Sequence, residues 1–458
     1  EHEIAALWLF RGFSALLLAA TAAFAWRRMD TLRIGAVGRL LFFGIVMADA
    51  KLTDFATNGM ETAILVFFVM LLWSELEAPG EPRVRRLAVA SAGLMWTRPD
   101  AFILAGAIIL PHLVFRRTET RQSVPWSAWV RTALLAGLLY LPWFVWAWWY
   151  YGTPVPHTIL AKSQVTNPVH FRDLLFIPWR TLIGDSLLSD LFLPTYWFYG
   201  SWPALLPRFG HFLSVLAAFA WLVPALPAAA RRVSLSVFLG MFYVCAIILF
   251  PWYSPPWMLL AALALAQSFD YVVVQSLAAG RRSLAVGVRT LALLVVCIQL
   301  GMLLATAWEM RTQQRIIEHG VRRPIGEWLR ANAGPSDTVF LEPLGYVGFY
   351  SRLKTYDYPG LSSPEVVAAI RSGNRRFAEV IATLRPTWLV LRPFEIADAT
   401  KPENAALNDY ELVRTWDARP QLDAVPILPG RDWMLHDAEF RIFRRKAGAT
   451  PSETAAAR

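Results

Sequence analysis

About ten apolar runs, broken by short arginine clusters, constrain what this chain can fold into more than any other feature of it. They fall at residues 4–26, 32–48, 60–74, 87–97, 101–115, 128–150, 211–230, 233–250, 256–276 and 284–308. Runs this long and this apolar satisfy their backbone groups in lipid only as helices. Between them lie Arg27-Arg28, Arg83 with Arg85 and Arg86, Arg116-Arg117, Arg231-Arg232 and Arg281-Arg282. Placing every cluster on the cytoplasmic side lets the segments alternate without conflict. Residues 49–59, 151–210, 251–255 and 310–458 then fall outside. Segments 87–97 and 101–115 are short, and the basic clusters around the pair lie on one side. They read as a hairpin whose tip, Arg98-Pro99-Asp100, points outward.

The formal charge of +10 sits largely in these clusters, so it speaks for topology and against a nucleic-acid partner. Aromatic residues crowd the ends of apolar runs, as at Trp143, Trp146, Trp148, Trp149, Tyr150 and Tyr151, where amphipathic rings favour the headgroup level. Cys245 and Cys297 lie singly inside apolar runs and define neither a disulfide framework nor a metal site. The alternation puts Glu1 outside, with no initiator Met and no signal sequence before it, and one further transmembrane helix and an exterior loop are expected upstream.

Beyond Trp308 the character changes. Arg311 to Arg330 reads as a charged amphipathic helix, and Gly334-Pro335-Ser336-Asp337 turns into the strand-like Thr338 to Leu341. Further strands are expected at Thr387 to Leu391 and Phe440 to Phe443, a helix at Val366 to Arg371, and a disordered tail from Ala447. The expected fold class is an α-helical polytopic membrane bundle over residues 1–309 with a C-terminal soluble α/β domain over 310–458. No internal repeat of the kind that marks many transporters is visible.

Ionisable residues at helix ends are the candidates for chemistry, and each carries two readings. Glu61 opens an apolar helix at its electropositive end and either serves that terminus or is a carboxylate at the rim of an exterior cavity. Asp49 and Asp54 read first as solvated loop residues. Arg98 with Asp100 is either a structural ion pair or a guanidinium oriented for an anion. His157 and Lys162 follow a path made irregular by Gly152, Pro154 and Pro156, and Lys162 is alternatively an interfacial anchor. Tyr253, in the turn Phe250-Pro251-Trp252-Tyr253-Ser254-Pro255-Pro256, reads first as an interface belt residue. Residues 165–210 hold Phe171, Leu174, Leu175, Phe176, Trp179, Leu182 and Ile183 at the spacing of an amphipathic helix suited to the exterior leaflet.

Together these residues resemble a known family, the GT-C membrane glycosyltransferases, in particular the branch with the terminal arabinofuranosyltransferases. The matching elements, in order, are NGMET at 58–62, TRPD at 97–100, WYYGTPVPHTILAK at 149–162, PWYSPP at 251–256 and DTVFLEPLGYVGFYSRLKTYDYPGL at 337–361. The resemblance implies transfer of a sugar, arabinofuranose among the candidates, from a polyprenyl-phosphate donor to a cell-envelope glycan or lipid acceptor. It places that reaction on the exterior face of the cytoplasmic membrane, without a nucleotide-sugar or Rossmann site; the polyprenyl-phosphate sugar is the donor substrate, and no metal ligands or further cofactor are assigned. In this reading Arg98 and Lys162 stabilise the donor phosphate and His157 orients it. Asp49, Asp54 and Glu61 are the candidate bases, and Asp100 and Tyr253 contact substrate. Family members carry an acidic pair after their first helix, in a region that would precede Glu1. His157 stands where the family usually has Asn, and Asp100-Ala101 where Glu-Gly is common. A transporter or lipid flippase is the alternative, since it too needs charges above a helical bundle; a non-catalytic receptor or scaffold is a third reading.

Overall fold

The computed structural model describes residues 2–81, 83–115, 125–156, 159, 161, 171–184, 187–246, 250–400 and 406–447. They divide into two compact units, one of Glu1–Pro154, Val169–Thr195 and Pro203–Thr306, the other of Val155–Pro168, Tyr196–Trp202 and Ala307–Arg458.

The first unit is a bundle of apolar helices: α1 His2–Thr31, α2 Ala36–Ala48, α3 Ala50–Thr57, α4 Thr62–Leu76, α5 Val84–Thr97, α6 Phe102–Val114, α7 Trp126–Tyr151, α8 Phe171–Leu182, α9 Leu205–Phe219, α10 Ala228–Ala246, α11 Pro255–Ala278 and α12 Arg282–Gln313. Among the described residues five helices are long and apolar enough to cross a membrane. The count is six if α3 and α4, bent by 120° at their junction, form one span. At 13 or 14 residues, α2, α5 and α6 reach only about 20 Å. They are shorter than the roughly 30 Å hydrocarbon core. On α8 the apolar residues Leu175, Phe176, Trp179 and Leu182 are exposed, as is Ile183 just after it, while Ile177 is buried.

Helix α11 runs through the middle of the bundle and is apolar on every side, with each residue from Pro255 to Gln267 buried. It packs on α2 and α10. Small residues allow that approach. A Cβ at Gly240 of α10 would stand 2.4 Å from the ring of Trp257, which is fully buried. Gly240→Ala should therefore cost about 1–3 kcal/mol by overpacking. Gly287→Ala, where an added Cβ meets nothing within 4 Å, should be near neutral. Thermal unfolding of both variants in detergent checks the contrast. On its other flank α11 supplies Asp270, whose carboxylate accepts from the backbone N–H of Gly35 at 2.8 Å and Gly38 at 3.4 Å. That carboxylate caps the start of α2 from another helix, and it satisfies donors that the sequence near Gly35 leaves open.

The second unit is built on a five-stranded sheet of order β2-β1-β3-β5-β4, where β1 is Thr338–Leu341, β2 Lys354–Asp357, β3 Trp388–Leu391, β4 Tyr410–Asp417 and β5 Glu439–Arg445. β1 pairs in parallel with β2 and β3, and β5 runs antiparallel to both β3 and β4. Between the strands come α14 Leu344–Ser351, α15 Pro364–Arg371, α16 Phe377–Leu384, α17 Pro393–Ala399, α18 Arg419–Asp423 and α19 Arg431–Leu435, with α13 Arg323–Asn332 before the sheet. Strand alternation sorts the core into two layers. Val339, Leu341, Trp388 and Val390 face one, with Val347 of α14; Phe340, Leu389 and Leu391 face the other, with Ala399 of α17.

Two expectations shift here. The charged stretch 311–330 is not one α-helix: α12 continues to Gln313, Gln314–Arg322 winds as a π-helix, and α13 follows. β2 and β4 were not expected. β4 is exposed along most of its length, so its sequence lacks the apolar alternation that marks a half-buried strand. The tail beyond residue 447 lies outside the described residues.

A chain of ion pairs lies at the carboxyl end of this sheet. Arg392 reaches Asp437 at 2.9 Å, Glu395 at 2.6 Å and Glu342 at 2.5 Å, and Arg322 joins Asp437 at 2.7 Å to Glu318 at 2.6 Å. Burial pushes the Glu318 and Glu395 carboxyls above their ordinary value of 4.5, against the pull of Arg322 and Arg392. The native domain therefore binds protons that the unfolded chain has released, and through these two groups its stability falls as pH rises from 4.5 through the raised values. Amide exchange in β3, corrected for intrinsic rates, should show stronger protection at pH 5 than at pH 7.5. The difference should shrink in Glu395→Gln.

Candidate active site

The hairpin of α5 and α6 turns at Arg98. Proline at 99 disfavours helical backbone in the residue before it, so Arg98 is extended at φ −147°, and Pro99–Ala101 makes one 3-10 turn before α6. This geometry brings the side chains two residues apart together. Arg98 donates from Nε to Asp100 Oδ1 at 3.3 Å and from Nη2 to Oδ2 at 3.4 Å. Its remaining nitrogen, Nη1, stands 3.5 Å from Glu61 Oε1. Glu61 occupies the residue before α4 but makes no side-chain cap to that helix.

Two tyrosines close the arrangement from a third hairpin. The 3-10 turn Pro251–Tyr253 sets the Tyr253 ring under the guanidinium, 3.9 Å from its centre, and the Tyr243 hydroxyl of α10 donates to Asp100 Oδ2. Tyr253 is thus a buried partner of Arg98, a correction to its reading as an interface belt residue; the prolines around it turn it inward. Sequence reasoning missed Tyr243 altogether. Its one signal was a phenol inside an apolar run.

Asp49 is also corrected. It is buried, not solvated, because its carboxylate caps α3 by accepting from Leu52 N at 2.6 Å, while neighbouring Lys51 is buried and donates to the Asp190 carbonyl. Asp54, on the same short helix, is half-buried, and among the described residues its carboxylate has no hydrogen-bond or ion-pair partner. His157 and Lys162 lie outside the described residues, so of the three groups expected around the donor phosphate the structure places Arg98 alone.

From Glu61 an open groove of about 580 Å³ runs along α4, α5 and α7, lined by Ile64, Phe68, Val89, Trp96 and Leu139. Its walls are apolar except at the Glu61 end. Among the described residues no three of His, Cys, Asp and Glu cluster closely enough to hold a metal ion.

Over 128 residues the chain is 28% identical to the terminal β-(1→2)-arabinofuranosyltransferase of Mycobacterium tuberculosis. The sequence likeness is to an arabinofuranosyltransferase. The match takes in 26% of this chain, and the chain spans only 19% of that curated relative's length. A family model described as "Domain of unknown function (DUF8728)" matches residues 305–442, the stretch that holds the five-stranded sheet. Among solved structures the chain is similar to ArnT from Cupriavidus metallidurans bound to undecaprenyl phosphate. The identity there is 13%, with a TM-score of 0.47, over 97% of this chain and 85% of that one. It is also similar to the arabinofuranosyltransferase AftD from Mycobacteria, at 16% identity and a TM-score of 0.38, over 96% of this chain and 34% of that one. Both are distant likenesses.

Proposed function

We propose that this chain is a membrane glycosyltransferase that moves a sugar from a polyprenyl phosphate to a glycan or lipid acceptor, with Arg98 holding the donor phosphate. The observation that carries the reading is the charged end of an apolar groove. A lipid-borne substrate needs a dry path for its isoprenoid chain, which the groove supplies, and an oriented cation near its end; the groove ends at Glu61, and Arg98 stands 3.5 Å from that carboxylate. The Tyr253 face and the Asp100 fork fix the Arg98 guanidinium in one orientation, which lowers the cost of ordering it on binding. Glu61, at 3.5 Å and partly exposed, is the partner an incoming phosphate displaces.

The chemistry follows from these groups. An acceptor hydroxyl oxygen bonds to the anomeric carbon as the bond from that carbon to the phosphate oxygen breaks. The electron pair leaves on the phosphate, where Arg98 meets the growing charge, and the hydroxyl proton passes to a carboxylate. Asp54 is the assignment for that base, since Asp49 is committed to capping α3, while the Asp54 carboxylate has no hydrogen-bond or ion-pair partner among the described residues. Arg98 faces two carboxylates, Glu61 and Asp100, so a second cation is required for net attraction of a phosphate. Lys162, in the motif around Gly152 to Lys162, is the candidate, with His157 beside it in sequence. The reaction is assigned to the exterior face, following the arginine clusters.

Membranes containing the protein, supplied with a polyprenyl-phosphate arabinofuranose and endogenous acceptor, test the reading. Asp54→Asn should lower transfer at least about a hundredfold, as for a lost general base. Normal transfer in Asp54→Asn removes that assignment; no transfer in wild type, with donor lipid moved intact across vesicles, favours the transporter reading.

A further inference from the structure

The sheet of the second unit has a switch point. β1 is followed by α14 on one face and β3 by α17 on the other, as their core residues Val347 and Ala399 show, and the two strands are adjacent and parallel. The chain thus departs in opposite directions from neighbouring strand ends, the arrangement that in open α/β sheets sets a ligand crevice at the carboxyl edge. Glu342 and Arg392, the first residues after β1 and β3, both stand there. Arg392 is 8% exposed and its Nε is buried with no acceptor, whereas the Glu342 side chain is 43% exposed.

Beside this pair lies a band of aromatic rings. Phe394 is 50% exposed and lies 4.6 Å beneath the Arg392 guanidinium. His436 is 6.0 Å from Phe394, and Tyr199 is 4.7 Å from His436. Trp433 stacks on Tyr196 at 3.9 Å behind them and holds the 196–202 segment in place. A half-exposed phenylalanine beside a buried arginine and a histidine, and in none of the apolar core clusters of this unit, contributes little to the core.

We propose that this crevice binds a neutral glycan, stacked on Phe394 and His436 with its hydroxyls on Glu342. Sugar rings present C–H faces that pack on aromatic rings and hydroxyl edges that donate to carboxylates, and the crevice offers those two surfaces side by side. Charge argues against a phosphorylated ligand, because Arg392 and Arg322 are outnumbered by Glu342, Glu395, Asp437 and Glu318. The identification of this glycan as the acceptor rests on the transferase reading; the binding itself does not.

The test uses the full chain in detergent, titrated with an arabinofuranose hexasaccharide and with mannohexaose, and followed by saturation-transfer NMR and Trp fluorescence. Saturable binding of at least one is expected. Phe394→Ala and Glu342→Ala should each weaken it about tenfold, the loss of one stacking or one charge-assisted contact. Phe394→Trp should keep it, which separates loss of a platform from loss of fold. Absence of saturable binding to both sugars, or binding indifferent to both alanine variants, overturns the proposal. Arg98→Ala should bind the oligosaccharides as wild type does while failing in transfer, so a failed donor assignment and a failed glycan site give different results.

Discussion

Replacing Arg98 by alanine should lower sugar transfer about 10²- to 10³-fold, the usual loss when one oriented donor to a developing negative charge is removed. The expectation comes from how completely the surroundings define this side chain. Asp100 takes two of its nitrogens, Glu61 a third, and Tyr253 covers one face. A residue needed only to neutralise Asp100 would not require the ring or the second carboxylate, because the Tyr243 hydroxyl already donates to Asp100. Arg98→Lys keeps the charge but loses the fork, and should recover only part of the activity. Tyr253→Phe keeps the ring face and should be mild. The measurement is transfer per folded molecule, with folded protein counted by size-exclusion fluorescence. If Arg98→Ala lowers the folded yield but leaves activity per molecule intact, Arg98 is a structural tie between α4 and the α5–α6 turn, and the donor assignment is lost.

Much of the bundle was legible because hydropathy acts over long windows and reports burial directly. Each of the ten apolar runs corresponds to a helix in the structure. The α5–α6 hairpin was readable for a local reason, the proline at 99. The site was legible only in its sequence-local part. Arg98 and Asp100 are two residues apart, and a pair of that kind can be read from spacing. Tyr243 lies 143 positions from Asp100, and no periodicity connects them. Asp49 shows the opposite failure, since a charged residue between two helices reads as solvated until the next helix folds back and uses its carboxylate as a cap. In the second unit β1, β3 and β5 were found by their apolar cores. β2 and β4 were missed because edge strands carry charge on both faces.

The largest stability effect should come from a residue that sequence treats as ordinary. Arg231 and Arg232 read together as one basic cluster, yet the structure gives them different environments. Arg231 lies over the Phe115 ring at 4.6 Å and donates to the Trp221 carbonyl, partly exposed. Arg232 is 4% exposed and grips Glu77, itself 1% exposed, with Nε–Oε1 at 2.9 Å and Nη2–Oε2 at 2.6 Å. His112 of α6 stands 3.7 Å from the same carboxylate, and Arg28 of α1 donates to the Glu77 carbonyl at 3.4 Å. Four helices, α1, α4, α6 and α10, meet at this residue. Arg232→Leu would leave the Glu77 carboxylate in a dry interior without its bidentate partner, at a cost of about 3–5 kcal/mol. Glu77→Leu should cost a similar amount by removing the bidentate partner of Arg232. The double variant removes both charges at once, so it should recover most of either loss, because the desolvation that the pair had to overcome disappears with it. Arg231→Leu, one position away, should shift stability by less than about 1 kcal/mol. Thermal unfolding of the four variants in one detergent measures the whole set. Additive losses in the double variant would mean that each side chain is held by separate partners, and the pair would not be the unit that ties these helices together.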